Sequence, residues 1–141
     1  MAEKKIALDL FARHNCFIDV AKEFDYDIYT TYHEELVETD QVCDFLDFNI
    51  NKMIDDIGKP NVIWASPPCN TFSLLSIGHH WNKNKTPKSE ACKKSLKIID
   101  KILQIVDDVK PDFWFIENPR AFLRKQKVME ALPRHTVTYC S

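Results

Sequence analysis

Cys69 directly follows Pro67 and Pro68, which end the apolar run NVIWAS at 61–66. Proline cannot donate to a strand ladder and fixes its own backbone, so the pair forces a stiff exit loop that holds a thiol in place. A held thiol, ionised, is what a covalent nucleophile requires. A free cysteine more often serves as a small buried hydrophobe, and that reading is taken for Cys16, Cys43, Cys92 and Cys140. Glu117 closes a second apolar run, FWFI at 113–116. If that strand is central, its carboxyl is expected to titrate high and to donate a hydrogen bond to a ring nitrogen or pass a proton. Its plainer reading is a strand-end carboxylate, solvated or capping the next helix.

The elements that must position these two groups can be read from the pattern. IALDLF at 6–11 predicts a strand, and CFIDVAKEF at 16–24 a helix with Asn15 as its cap. DIYTTY at 27–32 is β-prone, VCDFLDF at 42–48 is a weaker strand, and 49–57 a short helix stopped by Gly58. Residues 67–85 form a long aperiodic connection, and such connections tend to carry function. Thr86 and Pro87 open a helix to about Val109, with Leu96, Ile99, Ile102, Leu103 and Val106 on one stripe. A basic helix at 121–132 and a β-prone run at 136–140 complete the chain. Strands alternating with helices predict an α/β fold: a mostly parallel sheet with helices on both faces, its ligands beyond the carboxyl ends of the strands.

Composition excludes several classes. With 141 residues and 45% hydrophobic content the chain is expected to form a single domain with a real core. Two glycines, where average usage would supply about ten, leave no glycine-rich phosphate cradle. Five cysteines without a C-x-x-C pair argue against a disulfide scaffold and against a metal site. No run approaches a membrane span, and the start lacks a signal-peptide core, so a reducing, cytoplasmic setting is expected. A net charge of -2 means that any nucleic-acid contact is local.

VIWASPPCNTFS at 62–73, SIGHHW at 76–81 and FWFIENPRAFLRK at 113–125 together resemble the DNA cytosine-5 methyltransferase family, especially its bacteriophage-type members. LDLFA at 8–12 is similar to the same family's opening motif, and the matches run in family order over nearly the whole chain. The resemblance implies a Rossmann-like methyltransferase fold acting on double-stranded DNA with S-adenosylmethionine as cofactor. It implies that Cys69 attacks C6 of a flipped-out cytosine while Glu117 bonds N3. Pro68 would orient the thiol, and Asn118 with Pro119 would set the glutamate loop. Asp9, Phe11, Asp44 and Pro67 would lie about the cofactor, and Arg120 and Arg124 would contact DNA phosphates. A base inside a duplex must leave its stack before a side chain can reach it.

The chain also departs from the family pattern. Where the opening motif should continue into a glycine-rich turn, it has Ala12, Arg13, His14, Asn15 and Cys16. The acidic position at the end of the second strand aligns with Tyr32, with Glu34 and Glu35 nearby. No segment resembles the family's later strands, its arginine-bearing motif or its target-recognition region. The sheet is therefore expected to be incomplete at its C-terminal side, with a partner chain as one source of the missing strands. The alternative function is an inactive DNA-binding or interaction module of the same fold. A thiol hydrolase using Cys69 with His79 or His80 lacks the required spacing.

Overall fold

A computed structural model describes residues 3–12, 16–32 and 40–137. By its internal contacts the chain divides into two compact units, one of Met1–Pro67 with Lys97–Glu117 and the other of Pro68–Leu96 with Asn118–Ser141.

The first unit is built on β1 (Ile6–Leu10), β2 (Asp27–Tyr32), β3 (Gln41–Val42), β4 (Val62–Ala65) and β5 (Phe113–Ile116), all parallel in the order β3-β2-β1-β4-β5. This is the strand order of a Rossmann-like sheet: the chain moves outward from β1 to β3, then returns to β4 on the other side. In sheets so wound, ligands bind beyond the carboxyl ends of the strands at the reversal, here β1 and β4. Central position explains why β1 is buried throughout, with Leu8 and Leu10 inaccessible to water. Full burial of each such side chain contributes about 1.5–3 kcal/mol.

Helices cover both faces. Helix α1 (Cys16–Glu23) packs on one through Phe17, whose ring stacks on Trp64 at 5.4 Å. Helix α2 (Ile50–Ile57) belongs to the other, since a side chain at Gly58, just past its end, would meet Ile6. Asn49 caps α2 by accepting from the N–H groups of Asn51 and Lys52, and Gly58 ends it at φ 100°, a conformation costly for residues with a Cβ. In α3 (Glu90–Val109) the buried stripe within this unit is Ile98, Ile99, Ile102, Ile105 and Val109. It is rotated from the predicted one, leaving Leu103 and Val106 on its flank.

Strand β5 forms the outer edge of the described sheet rather than a central strand, so Phe113 and Phe115 are 61% and 49% exposed. The expected 42–48 strand reduces to the two residues of β3 followed by a 3-10 turn, Phe45–Asp47, capped by Asp44. An Asx cap satisfies the turn locally and competes with the ladder.

The second unit is organised by side chains and loops. Trp81 is 2% exposed, stacks on Phe122 at 5.2 Å, and donates its indole N–H to the Thr71 carbonyl at 2.7 Å. Two isolated bridges, Ile77 to Trp81 and Trp81 to Pro87, pull Pro87 out of the helix it was expected to open. Helix α3 begins later, with the Ser89 hydroxyl accepting from the Cys92 N–H at 3.1 Å. The predicted basic helix at 121–132 is two 3-10 turns, Leu123–Lys125 and Lys127–Met129. Residues 133–137 form no strand, and the rest of the expected 136–140 strand lies outside the described residues.

Candidate functional site

In the first unit the predicted cofactor residues fall at the carboxyl ends of neighbouring strands. Asp9 lies next to last in β1 and is 2% exposed; burial raises its pKa from 3.8 to about 7. Phe11, one residue past β1, takes φ 74°, which a bulky side chain rarely adopts. Its N–H and that of Ala12 both donate to the Thr31 carbonyl, at 3.0 and 2.9 Å, and this anchorage holds the turn. The Phe11 ring lies 4.6 Å from that of Phe45. Phe45 directly follows Asp44, an exposed carboxylate that accepts from the Leu46 N–H at 3.0 Å. Two predicted positions more than thirty residues apart in sequence are thus neighbours.

Pro67 is buried and follows Ser66, whose N–H donates to the Leu10 carbonyl at 3.4 Å. It therefore stands beyond the end of β4 beside β1. At the end of β5, the Glu117 N–H donates to the Ala65 carbonyl at 2.9 Å, and its side chain is half-buried. The enclosure expected of a central strand is absent because β5 is an edge. Arg13, His14, Asn15, Glu34, Glu35 and the Tyr32 side chain lie outside the described residues.

One participant was missed in the sequence. The Lys101 ammonium donates to the Leu46 carbonyl at 2.7 Å and sits 5.5 Å from the centre of the Phe45 ring. Burial lowers its pKa, while Asp47, Cys43 and Asp44 oppose that shift. Nothing in the periodicity of α3 distinguished Lys101 from the lysines that face solvent.

The second unit holds the thiol. Cys69 is exposed, and its carbonyl accepts from the N–H groups of Phe72 and Ser73, both at 3.0 Å. Exposed Pro68 precedes it. The loop is tied down further along, where the Phe122 N–H donates to the Phe72 carbonyl at 2.9 Å and the Thr71 hydroxyl to Ser95 at 2.8 Å. Asn118, half-buried, opens the segment that carries Phe122, so the residues after Asn118 brace the loop of Cys69. Arg120 is exposed and Arg124 partly so. With no helix there, they do not share a helical face. Cys69 and Glu117 fall in different units.

The reading of the remaining cysteines needs correction. Cys16 is exposed and Cys43 half-buried; only Cys92 is a buried core thiol, while Cys140 lies outside the described residues. Cys16 starts a helix, where its side chain faces water. Trp81 is core, and His80 Nδ1 is 2.6 Å from the Ser89 hydroxyl. Charge is also strongly segregated: the second unit carries ten lysines and arginines against two glutamates, while the first carries nine against nineteen acids. The overall charge of -2 conceals this. Among the described residues no cluster of three or more His, Cys, Asp or Glu could hold a metal ion, and no helix is long and apolar enough to cross a membrane.

Residues 8–134 match the family described as C-5 cytosine-specific DNA methylase. A curated relative, the "Probable DNA (cytosine-5)-methyltransferase" of Frog virus 3 (isolate Goorha), is 30% identical over 113 residues. That alignment covers 76% of this chain and 50% of the relative, so the chain spans about half the length of the curated relative it matches. The parallel sheet, the strand-end positions of the motif residues and a match over most of the sequence agree: the chain belongs to the C-5 cytosine-specific DNA methylase family.

Proposed function

We propose that the chain carries the catalytic part of a DNA cytosine-5 methyltransferase, with Cys69 as nucleophile and duplex DNA as substrate. The observation that carries this reading is an exposed thiol on a braced loop, within a unit whose cations outnumber its acids five to one. The sulfur of Cys69, as thiolate, forms a bond to C6 of an extruded cytosine, and the electron pair released makes C5 nucleophilic. After C5 has taken a methyl group, loss of its proton to a base expels the thiolate and restores the ring. Glu117, once it has taken a proton from solvent, donates a hydrogen bond to N3 and offsets the charge that grows there as sulfur adds. Pro68 and Asn118 position the two loops. Arg120 and Arg124 contact phosphates, which fix register without reading sequence.

S-adenosylmethionine supplies the methyl group as an electrophile when bound. The residues present suit its purine: Asp44 is an exposed acceptor for the amino group, beside the aromatic wall of Phe11 and Phe45. Pro67 would border the same site, and buried Asp9 would support the turn from beneath.

Trapping on a duplex containing 5-fluorocytosine tests the reading, because fluorine cannot leave as a cation and the adduct persists. A covalent complex is expected with adenosylmethionine, lost in Cys69→Ser, kept in Cys92→Ser and reduced several-fold in Glu117→Gln. An adduct that survives Cys69→Ser rejects the assignment. The glycine-free stretch after Phe11 favours a second reading, a DNA-binding member that has lost its cofactor. Calorimetry with adenosylmethionine separates the two: binding heat supports the enzyme, and none at millimolar ligand with DNA affinity retained supports the binding module.

A further inference from the structure

The 3-10 turn Phe45–Asp47 carries both groups assigned to the cofactor's purine, Asp44 as its cap and Phe45 as its first residue. A turn this short has poor hydrogen-bond geometry and holds itself weakly. Its own bonds are local: the Leu46 N–H donates to Asp44 Oδ1 at 3.0 Å, the Asp47 N–H to the Asp44 carbonyl at 2.9 Å, and the Phe48 N–H to the Phe45 carbonyl at 3.2 Å. Lys101 reaches the turn from α3, 55 residues away, and donates to the Leu46 carbonyl at 2.7 Å. The same ammonium lies 5.5 Å from the centre of the Phe45 ring. Leu46 is thus gripped on both sides: its N–H fixes the Asp44 carboxylate, and its carbonyl is fixed by Lys101. All of these residues belong to the first unit.

A lysine one turn earlier on α3, Lys97, keeps its charge in water. Lys101 is half-buried, and burial lowers its pKa against the pull of Asp47 and Asp44. An ammonium held out of water against a carbonyl makes a short, charge-assisted hydrogen bond, and its place over a ring adds a cation–π attraction. Anchoring α3 does not require this, because the buried stripe of Ile98, Ile99, Ile102, Ile105 and Val109 already does so. We propose that Lys101 is a positioning residue for the purine of the cofactor: through Leu46 and Phe45 it sets the Asp44 carboxylate where it accepts from the purine amino group. The proposal rests on the reading that S-adenosylmethionine binds beside Asp44, and it adds what holds that acceptor in place.

Calorimetry on the full chain tests it with two ligands, S-adenosylhomocysteine and its analogue with hydrogen in place of the purine amino group. Lys101→Met keeps the aliphatic stem and removes the charge and the donors. It is expected to weaken S-adenosylhomocysteine about ten-fold and the analogue by no more than about two- to three-fold, because the analogue makes no bond to Asp44. Lys97→Met, on the exposed side of the same helix, is expected to leave both unchanged. Exchange of the Leu46 and Asp47 amides is expected to quicken about ten-fold in Lys101→Met, with the Leu8 and Leu10 amides of β1 unaffected. If those core amides quicken as well, Lys101→Arg decides, since it retains charge and donors and is expected to hold both ligands within about three-fold of the unsubstituted chain. Equal loss on both ligands, no loss on either, unchanged Leu46 exchange, or an arginine variant as weak as the methionine one each overturns the assignment. Failure of the cofactor reading is read separately. No heat from the unsubstituted chain at millimolar S-adenosylhomocysteine rejects that reading and the purine role with it, whereas binding indifferent to Lys101→Met rejects the role of Lys101 and keeps the cofactor.

Discussion

Asp9 shows how one side chain at the end of β1 can shape the stability of the whole chain. Its carboxyl is raised from 3.8 to about 7 by burial, so in the folded chain it keeps a proton that the unfolded chain releases near pH 4. A raised acid reduces stability as pH climbs. The loss begins near the unfolded value, grows by about 1.4 kcal/mol per pH unit, and levels off near pH 7 at about 4 kcal/mol. Asp9→Asn is expected to flatten this slope and to stabilise the protein at pH 8. Urea midpoints at pH 4.5, 6 and 8 measure it, and parallel curves for both proteins would contradict it. Cys69 works in the opposite setting. Exposed, and fixed through its own carbonyl rather than by packing, it can meet a substrate without opening the core.

Among the elements, strands were the most legible. The limits of β2 and β5 match the predicted runs, and β1 and β4 differ from theirs by one residue at one or both ends, because buried parallel strands read as apolar runs and β2 as a run of β-branched and aromatic residues. The cap and stop of α2 were equally visible in Asn49 and Gly58. The second unit was not, because its order comes from contacts that have no period. Trp81 meeting Thr71 and Phe122, or Thr71 meeting Ser95, joins residues too far apart for any helical or strand template to register. Of the candidate site, Cys69 and Glu117 stood out through their position after apolar runs. The meeting of Phe11 with the neighbour of Asp44 depends on tertiary structure, and Lys101 carried no local signal. If Trp81 is the centre of the second unit, Trp81→Ala costs about 3–5 kcal/mol. Trp81→Phe, which keeps a ring but loses the bond to Thr71, costs about 1–2 kcal/mol. Hydrogen exchange of the Phe72, Ser76 and Phe122 amides should accelerate in the first variant far more than that of the Leu8 and Leu10 amides.

At the scale of the molecule the separation of charge bears on the DNA contact proposed above. An almost neutral chain gives little reason to expect strong salt dependence, yet nine of the ten cations in the second unit are exposed. If about half of them meet phosphates, log affinity for duplex DNA falls with log salt at a slope of about -4 to -5. The double variant Lys83→Gln with Lys85→Gln should make that slope shallower by about 2, and Lys52→Gln, in the acidic unit, should not change it. Titrations between 50 and 200 mM salt provide the comparison.

The outer ribbon of β5 bears on how the protein behaves in a tube. Two phenylalanines beside a strand edge that no other strand pairs among the described residues make an adhesive seam, and a second molecule could zip onto it as readily as any natural neighbour. Preparations of these 141 residues should therefore grow heavier in sedimentation as they are concentrated. Phe115→Lys, which places a cation on the seam, should keep them monodisperse.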